Sequence, residues 1–109
     1  MLKFIDTANR FTDTVFVVAH MIDSTSMINR LTNNHVFFDL SAPQLYSLDI
    51  LKKVIRAYGA EKLLLRSDSP YGNNNIDKII KRLKRMHLSE HDINRICGEN
   101  IKCVLMMVY

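Results

Sequence analysis

Glycine and proline are scarce in this sequence, at three and two residues, and no low-complexity tract or convincing short repeat occurs. That scarcity excludes collagen-like, linker-like and disordered chains. Only two cysteines are present, Cys97 and Cys103, six positions apart. The spacing fits neither a zinc motif nor a disulfide framework, and it points to a reducing compartment. No apolar run approaches the roughly 20 residues needed to cross a bilayer. The opening Met1-Leu2-Lys3-Phe4-Ile5-Asp6 has an early acid and no long apolar core, unlike a secretory signal. The expectation is a cytoplasmic protein without membrane contact. What is present suffices for a core: 48% of the 109 residues are hydrophobic, and the length fits one domain over residues 1–109. The net charge of +4 is mild and gives only a slight preference for acidic partners.

The chain is organised around Lys62-Leu63-Leu64-Leu65-Arg66-Ser67-Asp68-Ser69-Pro70-Tyr71-Gly72. An apolar run of strand length breaks there into polar turn residues. It reads as a buried parallel strand over Lys62 to Ser67, stopped by Pro70, which has no N–H to donate. Two similar runs precede it. Val15 to Ala19 is rich in β-branched residues and ends at His20; Val36 to Leu40 ends at Asp39 and Ser41.

Helical spacing lies between and around these runs. Leu2, Ile5, Ala8 and Phe11 define a first helix. Asp23-Ser24-Thr25-Ser26 caps a short one with Met27, Ile28 and Leu31 inward. Leu48, Leu51, Val54, Ile55 and Tyr58 form one face of a helix that stops at Gly59. Asn73-Asn74-Asn75 caps another, with Ile76, Ile79, Ile80 and Leu83 inward. Ser89 with Asp92 opens a last helix, interrupted at Gly98. Strands alternating with helices predict an α/β fold of about three parallel strands.

Asp68 and His20 are the leading site candidates, because each follows an apolar strand. In parallel sheets and barrels that carboxyl end is where ligands bind. An Asp and a His there can hold a metal and move a proton. The bland alternatives are a loop-capping carboxylate and a histidine hydrogen-bonded to backbone. Asp39 and Ser41 share that edge, but a turn leading to Pro43 explains them more simply. His87-Leu88-Ser89-Glu90-His91 matches the H-x-x-E-H metalloprotease pattern as letters only, since Ser89 as N-cap leaves His87 outside the helix. The cations Lys78, Lys81, Arg82, Lys84 and Arg85 read as a solvated helix face rather than a nucleic-acid surface, because no aromatic is interleaved with them.

The stretch Leu64-Leu65-Arg66-Ser67-Asp68-Ser69-Pro70 resembles the last barrel strand and loop of the amidohydrolase-related metal-dependent hydrolases, which commonly read Leu-Phe-Gly-Ser-Asp-Ser-Pro. Val15 to Asp23 resembles the family's sixth strand, which ends in a histidine. Val36 to Ala42 resembles its seventh, and Leu88-Ser89-Glu90 with Gly98-Glu99-Asn100 its closing helix. The resemblance implies a partial TIM-like (β/α) barrel, strands six to eight, covering the back third of a full member. It implies Asp68 as metal ligand and proton acceptor, His20 as ligand or proton-transfer aid, and a divalent metal, zinc, as cofactor. The ancestral chemistry is attack of a metal-bound hydroxide on a carbon–heteroatom bond of a small-molecule substrate; decarboxylases share the fold. Two positions depart from the pattern: Arg66 stands where the family has Gly, and Ile22 where Gly is frequent.

No His-x-His occurs in the chain, and that pair supplies the family's first metal ligands. Three strands also cannot close a barrel of eight. The sequence therefore predicts a chain inactive by itself, one that self-associates or pairs with a complementary half-barrel. The alternative is a non-catalytic α/β interaction module or remnant that keeps the fold fragment.

Overall fold

Three apolar stretches pair into one parallel sheet in the order β1-β2-β3, in a computed structural model that describes residues 2–21, 24–41, 43, 46–66 and 75–108. The strands are β1 (Phe16–Val18), β2 (Val36–Asp39) and β3 (Leu63–Leu64). Phe16 pairs with Val36 and Val18 with Phe38; Phe38 pairs in turn with Leu63, and Asp39 with Leu64. The architecture is α/β with a parallel sheet, as alternation of strand and helix patterns predicts.

Because side chains alternate across a strand, this register sorts the sheet into two faces. Phe16, Val18, Val36, Phe38 and Leu63 share one face with the main core. That core is closed by Ile5 and Ala8 of α1 (Leu2–Arg10), Leu51 and Val54 of α2 (Leu48–Tyr58), and Ile79 and Leu83 of α3 (Asn75–Arg85). Val17, Phe37, Asp39 and Leu64 share the other face. There Phe37 and Leu64 pack against Val104 of α5 (Asn100–Val108). The C-terminal helix thus partly covers this second apolar face. Val17 remains 42% exposed.

Several elements differ in length from the sequence reading. The third strand, expected over Lys62 to Ser67, is two residues long, because Ala60–Lys62 is taken by a 3₁₀ turn after Gly59. Residues 67–74, including Ser67, Asp68 and Pro70, lie outside the described residues, as do Ile22 and Asp23. In the β1–β2 crossover Ser24–Met27 forms a 3₁₀ turn where a short α-helix is expected. Asn29 at φ 67° breaks the helical path there. Phe11, expected inward, is 53% exposed, because α1 stops at Arg10. Asn33 then caps that end: its Nδ2 donates to the carbonyls of Ala8 at 2.8 Å and Phe11 at 3.2 Å, which the helix leaves unpaired.

The other helix ends follow their sequence signals. Gly59 sits at φ 90° and returns its N–H to the Ile55 carbonyl. Ser89 Oγ accepts from Asp92 N–H at 3.1 Å and opens α4 (Glu90–Asn94). A π-helical turn over Arg95–Glu99, containing Gly98, joins α4 to α5.

That π turn closes the outer edge of β3. Asn100 N–H takes the Arg95 carbonyl instead of the Ile96 carbonyl, its ordinary α-helical partner. The Ile96 carbonyl accepts from Leu65 N–H at 3.1 Å. Asn100 Nδ2 donates to Ala60 and Leu63 carbonyls, both at 2.8 Å. The outer edge of β3 is therefore covered. At β1 no described segment plays that part; Phe16 N–H pairs inward with His35, so Val17 N–H points away from β2.

Candidate functional site

The carboxyl ends of all three strands converge on one buried carboxylate, Asp39, which is 1% exposed. The chain leaves β1 through His20 and Met21, which adopt φ 57° and φ 56°. Left-handed backbone at two successive non-glycine residues costs about 1–3 kcal/mol each. The turn aims His20 N–H at Asp39 Oδ1, 3.1 Å away. The same oxygen accepts from Ser41 N–H at 3.0 Å and Ser41 Oγ–H at 2.5 Å. Asp39 Oδ2 accepts from Arg66 Nη1 at 3.0 Å, just beyond β3. Both carboxylate oxygens are thus engaged, and residues following all three strands are tied together.

The hydrogen bonds also orient the His20 ring. A carboxylate only accepts, so Ser41 Oγ–H is committed to Asp39. The Ser41 oxygen then accepts from His20 Nδ1–H, 2.8 Å away. In the neutral ring this arrangement puts the lone pair on Nε2. The half-buried ring has no recorded Nε2 partner among the described residues. The order of groups is His–Ser–Asp, with the hydroxyl in the middle. A nucleophilic triad needs the histidine between hydroxyl and carboxylate, so Ser41 is not activated as a nucleophile here. What the arrangement can do is hold an imidazole at the sheet edge by its Nδ1, with Nε2 bonded to no described residue.

His20, Asp39, Ser41 and Arg66 therefore come together at the expected edge, and Asp68 lies outside the described residues, two positions beyond Arg66. Among the described residues no three His, Cys, Asp or Glu side chains are grouped to hold a metal ion. Asp39 has no free oxygen to offer, and His20 offers one donor. The described residues thus supply fewer donors than the roughly three protein ligands usual at a metal centre, and Asp68, the expected ligand, lies outside them.

The sequence alone points to a turn at Asp39 and Ser41, and marks Arg66 only as a departure from the family's Gly. The Asp-x-Ser pattern at the end of a fully apolar strand was the available signal, because such an Asp bonds backbone two residues on. The metalloprotease pattern fails as expected: His87 sits at φ 55° before the Ser89 cap, away from the helix that carries His91.

Two tyrosines buttress the core side of this edge. Tyr46 OH donates to the Leu40 carbonyl at 2.8 Å, and burial pushes its pKa well above the usual range. Tyr58 OH donates to the Ser24 carbonyl at 2.9 Å, and burial pushes it up to about 12. A cavity of about 250 Å³ lies at the opposite end of β2, lined by Val36, Lys62, Tyr58 and Asn33 among others.

Comparison with family models, curated proteins and solved structures returns no match to this chain. No described helix is long and apolar enough to cross a membrane.

Proposed function

We propose that this chain is the strand-six-to-eight part of an amidohydrolase-related hydrolase, catalytically incomplete by itself. The observation that carries the reading is His20. It stands at the end of the first parallel strand with Nδ1 held by Ser41 and no described residue bonded to Nε2. That is the state a ligand-binding or proton-accepting imidazole requires. In this reading His20 accepts a proton from, or binds, a group at the sheet edge. Asp39 and Arg66 hold the edge in shape, and Asp68 supplies the second acidic function. The divalent metal, zinc by resemblance, would supply Lewis-acid chemistry, with its remaining ligands on a complementary half-barrel chain.

The test is reconstitution. Mixed with a His-x-His-bearing half-barrel chain and zinc, the protein is expected to turn over simple esters or lactones. Activity should fall by at least about 100-fold in His20→Ala and in Asp68→Ala, as for loss of an acid–base group. Full activity in both variants would sink the reading.

A non-catalytic interaction module is the second reading, favoured by the placement of α5. Val104 packs on Phe37 and Leu64, on the sheet face where the remaining strands of a barrel would lie. Ile101, Leu105, Met106 and Met107 of that helix are exposed by 37%, 48%, 81% and 52%. Self-association through this surface is then expected, read by light scattering after size exclusion at micromolar concentration. A monodisperse monomer that keeps no partner would count against it.

A further inference from the structure

The helix α3 carries the whole net charge of the protein. It holds five of the fifteen basic residues and one of the eleven acidic ones, so ten of each remain elsewhere and cancel. Lys78, Lys81, Arg82, Lys84 and Arg85 together line a cavity of about 450 Å³. None of them forms an ion pair among the described residues, whose two ion pairs are Arg66–Asp39 and Arg95–Asp92. Arg82 is anchored: its Nη1 donates to the Tyr46 carbonyl at 2.7 Å and its guanidinium lies 5.3 Å from the Tyr46 ring centre. Lys78, Lys81, Lys84 and Arg85 are exposed. Lys78, Lys81, Arg82 and Arg85 follow i, i+3, i+4, i+7 spacing and form one stripe along the helix, neighbours being about 5–6 Å apart at Cβ.

We propose that this stripe binds the phosphodiester backbone of nucleic acid without reading its sequence. Five cations against the single acid Asp77 on one helix suit a row of phosphates. No aromatic lies on the stripe, which excludes base stacking but not backbone contact. Two other anionic partners fit less well. A helix that lies in a bilayer surface needs an apolar face to insert, and Ile79 and Leu83 of α3 are fully buried in the protein core. Protein interfaces are depleted in lysine and centred on apolar anchors, and the described residues that line this cavity are lysine and arginine.

The experiment is fluorescence anisotropy of the full chain with labelled mixed-sequence DNA, single-stranded and duplex, across a salt series. Four exposed cations predict a log–log salt slope of about −3 to −4 on duplex, an affinity loss on the order of 100-fold between about 50 and 200 mM salt. The variant Lys78→Gln/Lys81→Gln/Lys84→Gln/Arg85→Gln should bind at least about 100-fold more weakly at low salt. The control Lys52→Gln/Lys53→Gln/Arg56→Gln removes three exposed cations from α2 and should bind as wild type does. Equal weakening by the two variants would show bulk charge rather than this stripe, and would overturn the proposal. Tighter binding to phosphatidylserine vesicles than to DNA would overturn it too. Should the first variant prove unfolded by circular dichroism, the wild-type salt slope decides: shallower than about −2, it refutes the proposal.

Discussion

Replacing Asp39 by alanine tests whether one carboxylate holds the three strand ends together. The substitution strips acceptors from His20 N–H, Ser41 N–H and Ser41 Oγ, all on the side chain's buried Oδ1. Each buried donor left unpaired costs about 1–3 kcal/mol. The Arg66 partner adds little, because its side chain is 61% exposed and hydrates freely. The expected loss is therefore about 3–5 kcal/mol, a drop in melting temperature of roughly 10–25 °C for a domain of this size. Asp39→Asn keeps an oxygen for the two backbone donors and should lose only about 1–2 kcal/mol. Arg66→Gln should lose less than about 1 kcal/mol. Urea denaturation followed by circular dichroism gives all three values. An Asp39→Ala protein within about 1 kcal/mol of wild type, or an Arg66→Gln protein as unstable as it, would refute this account.

Three further outcomes are expected. Asn100→Ala removes the side-chain donor from the Leu63 carbonyl and one of two donors from the Ala60 carbonyl, which keeps Leu63 N–H, and should cost about 1–2 kcal/mol; an unchanged urea midpoint would contradict the bridging role. Gly98→Ala meets open space within 4 Å of the new Cβ, and should gain about 0.5–1 kcal/mol by reducing unfolded-chain freedom; destabilisation would show that the π turn needs glycine. Tyr58, pushed up to about 12 from its ordinary 10, keeps its proton in the folded chain where the unfolded chain loses it. Its contribution is thus complete below pH 10 and fades as pH rises towards 12, so urea midpoints across pH 9 to 11 should fall more steeply in wild type than in Tyr58→Phe.

Much of the helical framework was legible because its signals are local. Leu51, Val54, Ile79 and Leu83 repeat at helical spacing and are fully buried, and Gly59 and Ser89 stand where helices end and begin. The parallel order of the strands also followed from alternation alone. What escaped is non-local. Asp39 becomes the hub only because His20 and Arg66, 19 and 27 residues away, are brought to it by the sheet. No pattern within its own stretch marks that convergence. The first crossover failed as a helix because Ser24 to Met27 has capping residues but too few turns after them to repay nucleation.

The π turn sets an order on how the chain can be made. β3 hides its outer edge only by bonding to Ile96 and Asn100, some 30 to 40 positions further along. During synthesis the three strands leave the ribosome before the segment that closes them. Until Asn100 emerges, the nascent sheet presents open edges at both β1 and β3, the template on which strands of other molecules add. The interval is short at ordinary elongation rates. It lengthens wherever translation pauses between Leu65 and Asn100, and such pauses would set the yield of usable protein more than its final stability does.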